Sequence, residues 1–190
     1  MDIQKIKQKQ DPSKLAQFQV FEGLDKLSKD DRNGALHCFQ KALEIDPNYG
    51  QAHRRLGDFY AENRDLIKAI EHWEQFALLD PDNAGNIFSK IETALYDLGR
   101  YSEVEKFYKR MLDQDPGNLN ALAHMANVLE EKGERQQALD LVDSAMEKFD
   151  NSVHTRLMKL KLSLTVAPPH ELSQQIDKII NLLTDEKKSS

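Results

Sequence analysis

The 190-residue sequence predicts an all-α repeat fold, and three observations carry that prediction. An Asp-Pro pair recurs at Asp46-Pro47, Asp80-Pro81 and Asp115-Pro116, with the prolines 34 and then 35 residues apart. Small residues recur in step with this period, Gly23 and Gly57 in the first half of a repeat and Ala35, Ala69 and Ala138 in the second. Between them the apolar residues keep a helical period throughout. Two amphipathic helices per interval, packed on each other and then on the next pair, satisfy all three. The prolines cannot continue a helix, so they hold the chain extended at each turn between pairs.

The interval Ala52 to Pro81 shows the frame most completely: His53, Leu56-Gly57, Tyr60, Ala69, Trp73, Ala77 and Asp80-Pro81. Gly57 lies beside the bulky Leu56, Phe59 and Tyr60, where a missing side chain lets a second helix approach. Trp73 shares a face with Ala69 and Ala77 at spacings of four, and is expected to fill the gap between neighbouring pairs. This frame resembles the tetratricopeptide repeat pattern. The resemblance implies a right-handed superhelical solenoid of antiparallel helix pairs, with a concave face that binds polypeptide.

Taken in order, residues 1–12 are a polar, Lys/Gln-rich lead-in expected to be disordered. Asp11-Pro12-Ser13 has two readings, the close of a repeat further upstream or an Asp cap with proline in the first helical turn. A repeat domain follows over residues 13–184. Its first repeat, 16–49, has a strong second half with Ala35, Phe39 and Ala42, while Gln19 and Lys26 make its first helix more polar, as suits an outer face. The second repeat covers 50–84, and the longer proline interval after it places one inserted residue near Asn83-Ala84. The third, 85–118, is degenerate, with Glu92 at the small crossing position and Val104 in place of alanine. The fourth, 119–152, restores Ala126, Gly133, Ala138 and Ala145. Residues 153–184 form a degenerate capping pair, its last helix carrying Leu172, Ile176, Ile179, Ile180 and Leu183 in phase. The tail, 185–190, is expected to be disordered.

Composition narrows the function. Residues are 39% hydrophobic and 31% charged, which suits elongated helices exposing much surface, and one extended domain is the simplest count. With 26 basic against 32 acidic side chains the net charge is −6, which disfavours nucleic acid and anionic membrane as nonspecific partners. The single cysteine, Cys38, forms no intramolecular disulfide and no multi-thiolate metal site, and fits a reducing, cytoplasmic compartment. No apolar run approaches the ~20 residues of a membrane span.

Nothing in the chain has the pattern of a catalytic centre, so it is not expected to be an enzyme and no cofactor or metal is expected. The six histidines lack the spacing of known metal motifs, and His53 occupies a bulky packing position. What remains is a surface. Inward-pointing positions of the first helices follow a three-four-three spacing. They include Gln51, Arg54, Asp58, Ala61 and Glu62, then Asn86, Ser89, Thr93, Tyr96 and Asp97, then Asn120, Ala123, Asn127, Glu130 and Glu131. Arg54, Asp58, Lys90, Tyr96, Asn120, Asn127 and Glu131 are the candidate peptide-binding residues, the amides as donor-acceptor pairs and Tyr96 as an aromatic anchor. Asn86 and Asn120 have a second reading as caps of helix N-termini, and the carboxylates a second reading as a solvated face. The alternative function is self-association through an apolar face of the last helix.

Two further resemblances bear on function. Chaperone adaptors of the same repeat class clamp a C-terminal carboxylate with basic and amide residues at fixed positions. Those positions here hold Val20 and Leu24, or Arg54, Asp58, Lys90, Asn120 and His124, so carboxylate binding is not expected. The runs AIEHWEQFALLDPDN, LYDLGRYSEVEKFYKRMLDQDP and HTRLMKLKL resemble the C-terminal array of the lipopolysaccharide assembly protein B family. That resemblance implies a scaffold for envelope biogenesis, tethered to the inner membrane, which docks biosynthetic enzymes and a protease. The family's membrane anchor and paired-cysteine module are not in this sequence, so it also implies a fragment of a longer protein.

Overall fold

The computed structural model describes residues 11–148, 152–164 and 167–186, with side chains to 184. The expected lead-in over residues 1–10 and the tail over 187–190 lie outside the described residues. Asp11 and Pro12, assigned above to the lead-in, instead start the first helix. Asp11 accepts the Ser13 amide at 3.1 Å and proline stands at the first helical position.

Ten α-helices are described, and no strand among the described residues. They are α1 (Pro12–Ser28), α2 (Arg32–Ile45), α3 (Gly50–Glu62), α4 (Leu66–Leu79) and α5 (Gly85–Asp97), then α6 (Tyr101–Gln114), α7 (Leu119–Glu131), α8 (Arg135–Lys148), α9 (Val153–Ser163) and α10 (Pro169–Glu186). A 3-10 turn over Pro81–Asn83 absorbs the longer proline interval, beside the fully buried Ala84.

The chain divides into two compact units, one ending at Gly99 and one beginning at Arg100. The division falls within the degenerate third repeat. In the first unit α1 packs on α2, α2 on α3, α3 on α4 and α4 on α5; in the second, α6 packs on α7, α7 on α8, α8 on α9 and α9 on α10.

Close helix approach at the two crossing glycines is as the sequence predicts. A Cβ on Gly23 would fall onto the Phe39 ring, and one on Gly57 onto the Trp73 ring. Behind these contacts Phe39, Leu56, Phe76, Phe88, Ile87 and Ile91 are fully buried in the first unit. Phe107, Tyr108, Leu122, Val104 and Val142 fill the same role in the second.

The turn inside each of the first four pairs has a left-handed residue at the same place in the repeat. These are Asp30 (φ 62), Arg64 (φ 63), Gly99 (φ 69) and Gly133 (φ 79). Two repeats thus use glycine and two use a residue with a Cβ, at a steric cost. Asp31 and Asp65 then cap α2 and α4, accepting the Gly34 amide at 2.9 Å and the Lys68 amide at 3.3 Å.

Candidate functional site

A groove of about 530 Å³ lies in the first unit between α3 and α5 and is floored by α4. Asp58, Ala61 and Glu62 line it from α3, Leu66 and Trp73 from α4, and Ser89, Lys90, Thr93, Ala94 and Asp97 from α5. The floor is largely apolar and the rim polar, because helical spacing sends Ala61 and Ala94 inward while Glu62, Thr93 and Asp97 stay at the edge.

Asp58 is the centre of this groove. Its Oδ1 accepts from the Trp73 indole Nε1 at 3.1 Å and from Lys90 Nζ at 2.7 Å. Lys90 also stands over the Trp73 ring, 5.4 Å from its centroid. Trp73 is 4% exposed, packed on Gly57 within its own pair, so a buried ring fixes one oxygen of a carboxylate that is itself partly exposed. The sequence places Trp73 between neighbouring pairs; the structure adds that its polar edge addresses the groove.

Of the predicted site residues, Asp58 and Lys90 meet in this groove. Arg54 and Tyr96 do not line it: the Arg54 guanidinium lies 5.6 Å from the centroid of Phe76, and Tyr96 is 38% exposed. Asn120, Asn127 and Glu131 lie on α7, in the second unit. There Lys161 of α9 donates to Asn127 Oδ1 at 2.9 Å, so that amide already has a partner. Asn120 and Glu131 are exposed. The cap of α7 is Asn118, whose Oδ1 accepts the Ala121 amide at 2.9 Å, which corrects the capping reading of Asn120. α5 has no side-chain cap, so Asn86 is not one either.

The acidic lining is less acidic than the sequence suggests. Glu62 pairs with Arg32 at 2.8 Å, Asp58 with Lys90, and Glu130 with Arg135 at 3.1 Å and Lys161 at 3.3 Å. Asp97 and Glu131 make no ion pair among the described residues. The partners come from other helices, which one helix's spacing does not reveal.

A second cluster lies in the same unit. His53 Nε2 is 3.1 Å from the Pro47 carbonyl and its Nδ1 is 3.1 Å from His72 Nδ1. A carbonyl only accepts, so His53 carries its proton on Nε2 and accepts from the His72 Nδ1–H. His72 stacks on Tyr60 with centroids 5.5 Å apart. Burial, then the His53 ring beside it, hold His72 down to about 4, and burial lowers His53 as well. Sequence spacing leaves His72 without a partner; helix packing supplies one. Among the described residues no group of three or more His, Cys, Asp or Glu could hold a metal ion.

The packed helix pairs and the groove between successive first helices define a repeat protein of the interaction type. Tetratricopeptide repeat patterns match residues 38–71 and 95–160. The chain belongs to the tetratricopeptide repeat family. Small glutamine-rich tetratricopeptide repeat-containing protein 2 of Mycosarcoma maydis is 28% identical over 109 residues, which cover 57% of this chain and 30% of that protein. The chain thus matches under a third of that relative's length. Among solved structures, MamA protein aligns with a TM-score of 0.55 at 17% identity, covering 92% of this chain and 94% of that one. YrrB, described as a TPR protein with an unusual peptide-binding site, aligns with a TM-score of 0.50 at 18% identity, covering 88% and 86%. At these identities the structural likeness shows a shared fold.

Proposed function

We propose that the chain is a non-catalytic scaffold that holds a partner polypeptide in the groove between α3 and α5. The observation that carries this reading is the Asp58 carboxylate, fixed by Trp73 and Lys90 above an apolar floor. Apolar floor with few positioned polar groups is the usual make-up of a binding cleft. Asn120, Asn127 and Glu131 enter the proposal as a separate polar surface on α7, and Arg54 and Tyr96 as contacts outside the groove proper.

Affinity capture with the intact chain and with Thr93→Arg tests this. Thr93 is exposed at the groove edge, so the larger side chain fills the groove while the helix still forms. Loss of the captured polypeptides with helical content unchanged is the expected result. Capture that survives Thr93→Arg unchanged contradicts the groove reading.

Self-association is the second reading, favoured by Ile176, Ile180 and Leu183 on α10, which are 43%, 50% and 45% exposed. Ile179 on the same helix is buried, so the exposed face is narrower than the sequence pattern suggests. Sedimentation over a concentration series separates the readings, since a fixed monomer mass excludes this one. An envelope-assembly role on the cytoplasmic side of the inner membrane rests on the sequence resemblance alone. An apolar span and Cys-x-x-Cys pairs encoded beside this segment would support it, and their absence from the native reading frame would contradict it.

A further inference from the structure

We propose that the α3–α5 groove takes an arginine side chain of a basic peptide; this rests on the groove reading above and adds the chemistry of the occupant. The groove has acceptors to offer. Asp58 Oδ1 is used by Trp73 and Lys90, and no donor reaches Asp58 Oδ2 among the described residues. Asp97 lines the same groove from α5 and makes no ion pair among the described residues. Ser89 adds a hydroxyl, while Thr93 Oγ1 donates to the Ser89 carbonyl at 2.9 Å and so keeps its lone pairs available.

Cationic donors, by contrast, are already spent: Lys90 is bound to Asp58, and Arg32 at the rim to Glu62. An acidic segment or a C-terminal carboxylate would meet Asp58, Glu62 and Asp97 with no unpaired cation lining the groove to receive it. An arginine matches both layers at once. Its aliphatic stem suits the apolar lining of Leu66, Ala61 and Ala94, and its planar guanidinium offers forked donors to the carboxylates that line the same groove. A lysine ammonium offers a point charge and no fork, so it satisfies one carboxylate at a time.

Trp73 is the only tryptophan in the chain and lines the groove, so its emission reports occupancy directly. The experiment titrates the intact chain with three ten-residue peptides of the same Leu/Gly framework carrying Arg, Lys or Glu at alternate positions. The expected result is a saturable change in Trp73 emission with the Arg peptide at the lowest concentration, the Glu peptide producing none. Asp97→Asn, an exposed change outside the core, is expected to weaken the Arg peptide about tenfold. Equal binding of all three peptides, or no effect of Asp97→Asn, overturns the arginine assignment while leaving the groove reading standing. No change in Trp73 emission with any peptide overturns both.

Discussion

Trp73 Nε1 donates to Asp58 Oδ1 across 3.1 Å, so a buried ring on α4 sets the position of the carboxylate at the centre of the groove. One side chain thereby serves packing and binding together. Trp73→Phe keeps most of the apolar ring and removes the donor. Because Asp58 stays partly solvated, the variant should lose only about 1 kcal/mol of stability, whereas Trp73→Ala should lose about 3–5 kcal/mol. Urea denaturation measures both, and a Trp73→Phe loss as large as that of Trp73→Ala would contradict this division.

Gly57→Ala places a methyl group on the Trp73 ring, with backbone on one side and a buried aromatic on the other. Overpacking there should cost about 1–3 kcal/mol. The midpoint of thermal unfolding reads it, with the accompanying shift in Trp73 emission locating the strain.

The left-handed turn residues give a pair of opposite outcomes. Arg64→Gly removes a Cβ from φ 63 and should stabilise the chain by up to about 1 kcal/mol, the relief of strain being offset in part by added chain entropy. Gly99→Ala meets no neighbouring atom yet must hold φ 69, and should destabilise by about 1 kcal/mol. Equal effects of one sign would show that turn geometry does not decide these positions.

The paired histidines predict an acid-sensitive fold. His72 titrates at about 4 when folded, against its ordinary value of 6.5, so below about pH 6.5 the unfolded chain takes a proton that the folded chain refuses. Stability is therefore full above 6.5 and declines until about pH 4. Solvent screening on the exposed side of the ring limits the loss to roughly 1–2 kcal/mol. His72→Phe should flatten that part of the pH profile, and denaturation curves at pH 7 and pH 4.5 decide it.

Glu105 is held at about 2 by hydrogen bonds from Lys109 and from Lys132, the latter reaching from the residue after α7 at 2.6 Å. A carboxylate depressed in this way contributes stability above its unfolded value near 4.5 that is lost as pH falls towards 2. Carbon-detected NMR titration should show Glu105 still ionised at pH 3. A midpoint near 4.5 would mean the bridge does not persist in solution.

What the sequence revealed follows the range of each interaction. Gly23 and Gly57 were legible because small residues at helical spacing have one structural use, and the aromatic each would strike lies sixteen residues on in the same pair. Asp30 and Arg64 were not, since aspartate enters the left-handed region only occasionally and arginine rarely; their register with Gly99 and Gly133 marks the turn. Asp58 and Lys90 were both picked as groove residues, yet their ion pair depends on how α5 stacks against α3. The same holds for His53 with His72 and for Asn127 with Lys161. The cap of α7 was misplaced by two residues because Asn118 and Asn120 have equal capping preference, and only the backbone at Asn118 is extended.

The most direct test places a compact aliphatic diazirine side chain, no bulkier than leucine and so too small to fill the groove, at Thr93 on the groove edge, or at Ile67, which is 53% exposed and does not line it. Each variant is irradiated with the fluorescein-labelled Arg peptide, with unlabelled peptide as competitor. Adducts at Thr93 that the competitor abolishes, with few at Ile67, are the predicted result. Adducts of equal yield at both positions, or none at Thr93, would contradict the claim that this groove holds a polypeptide.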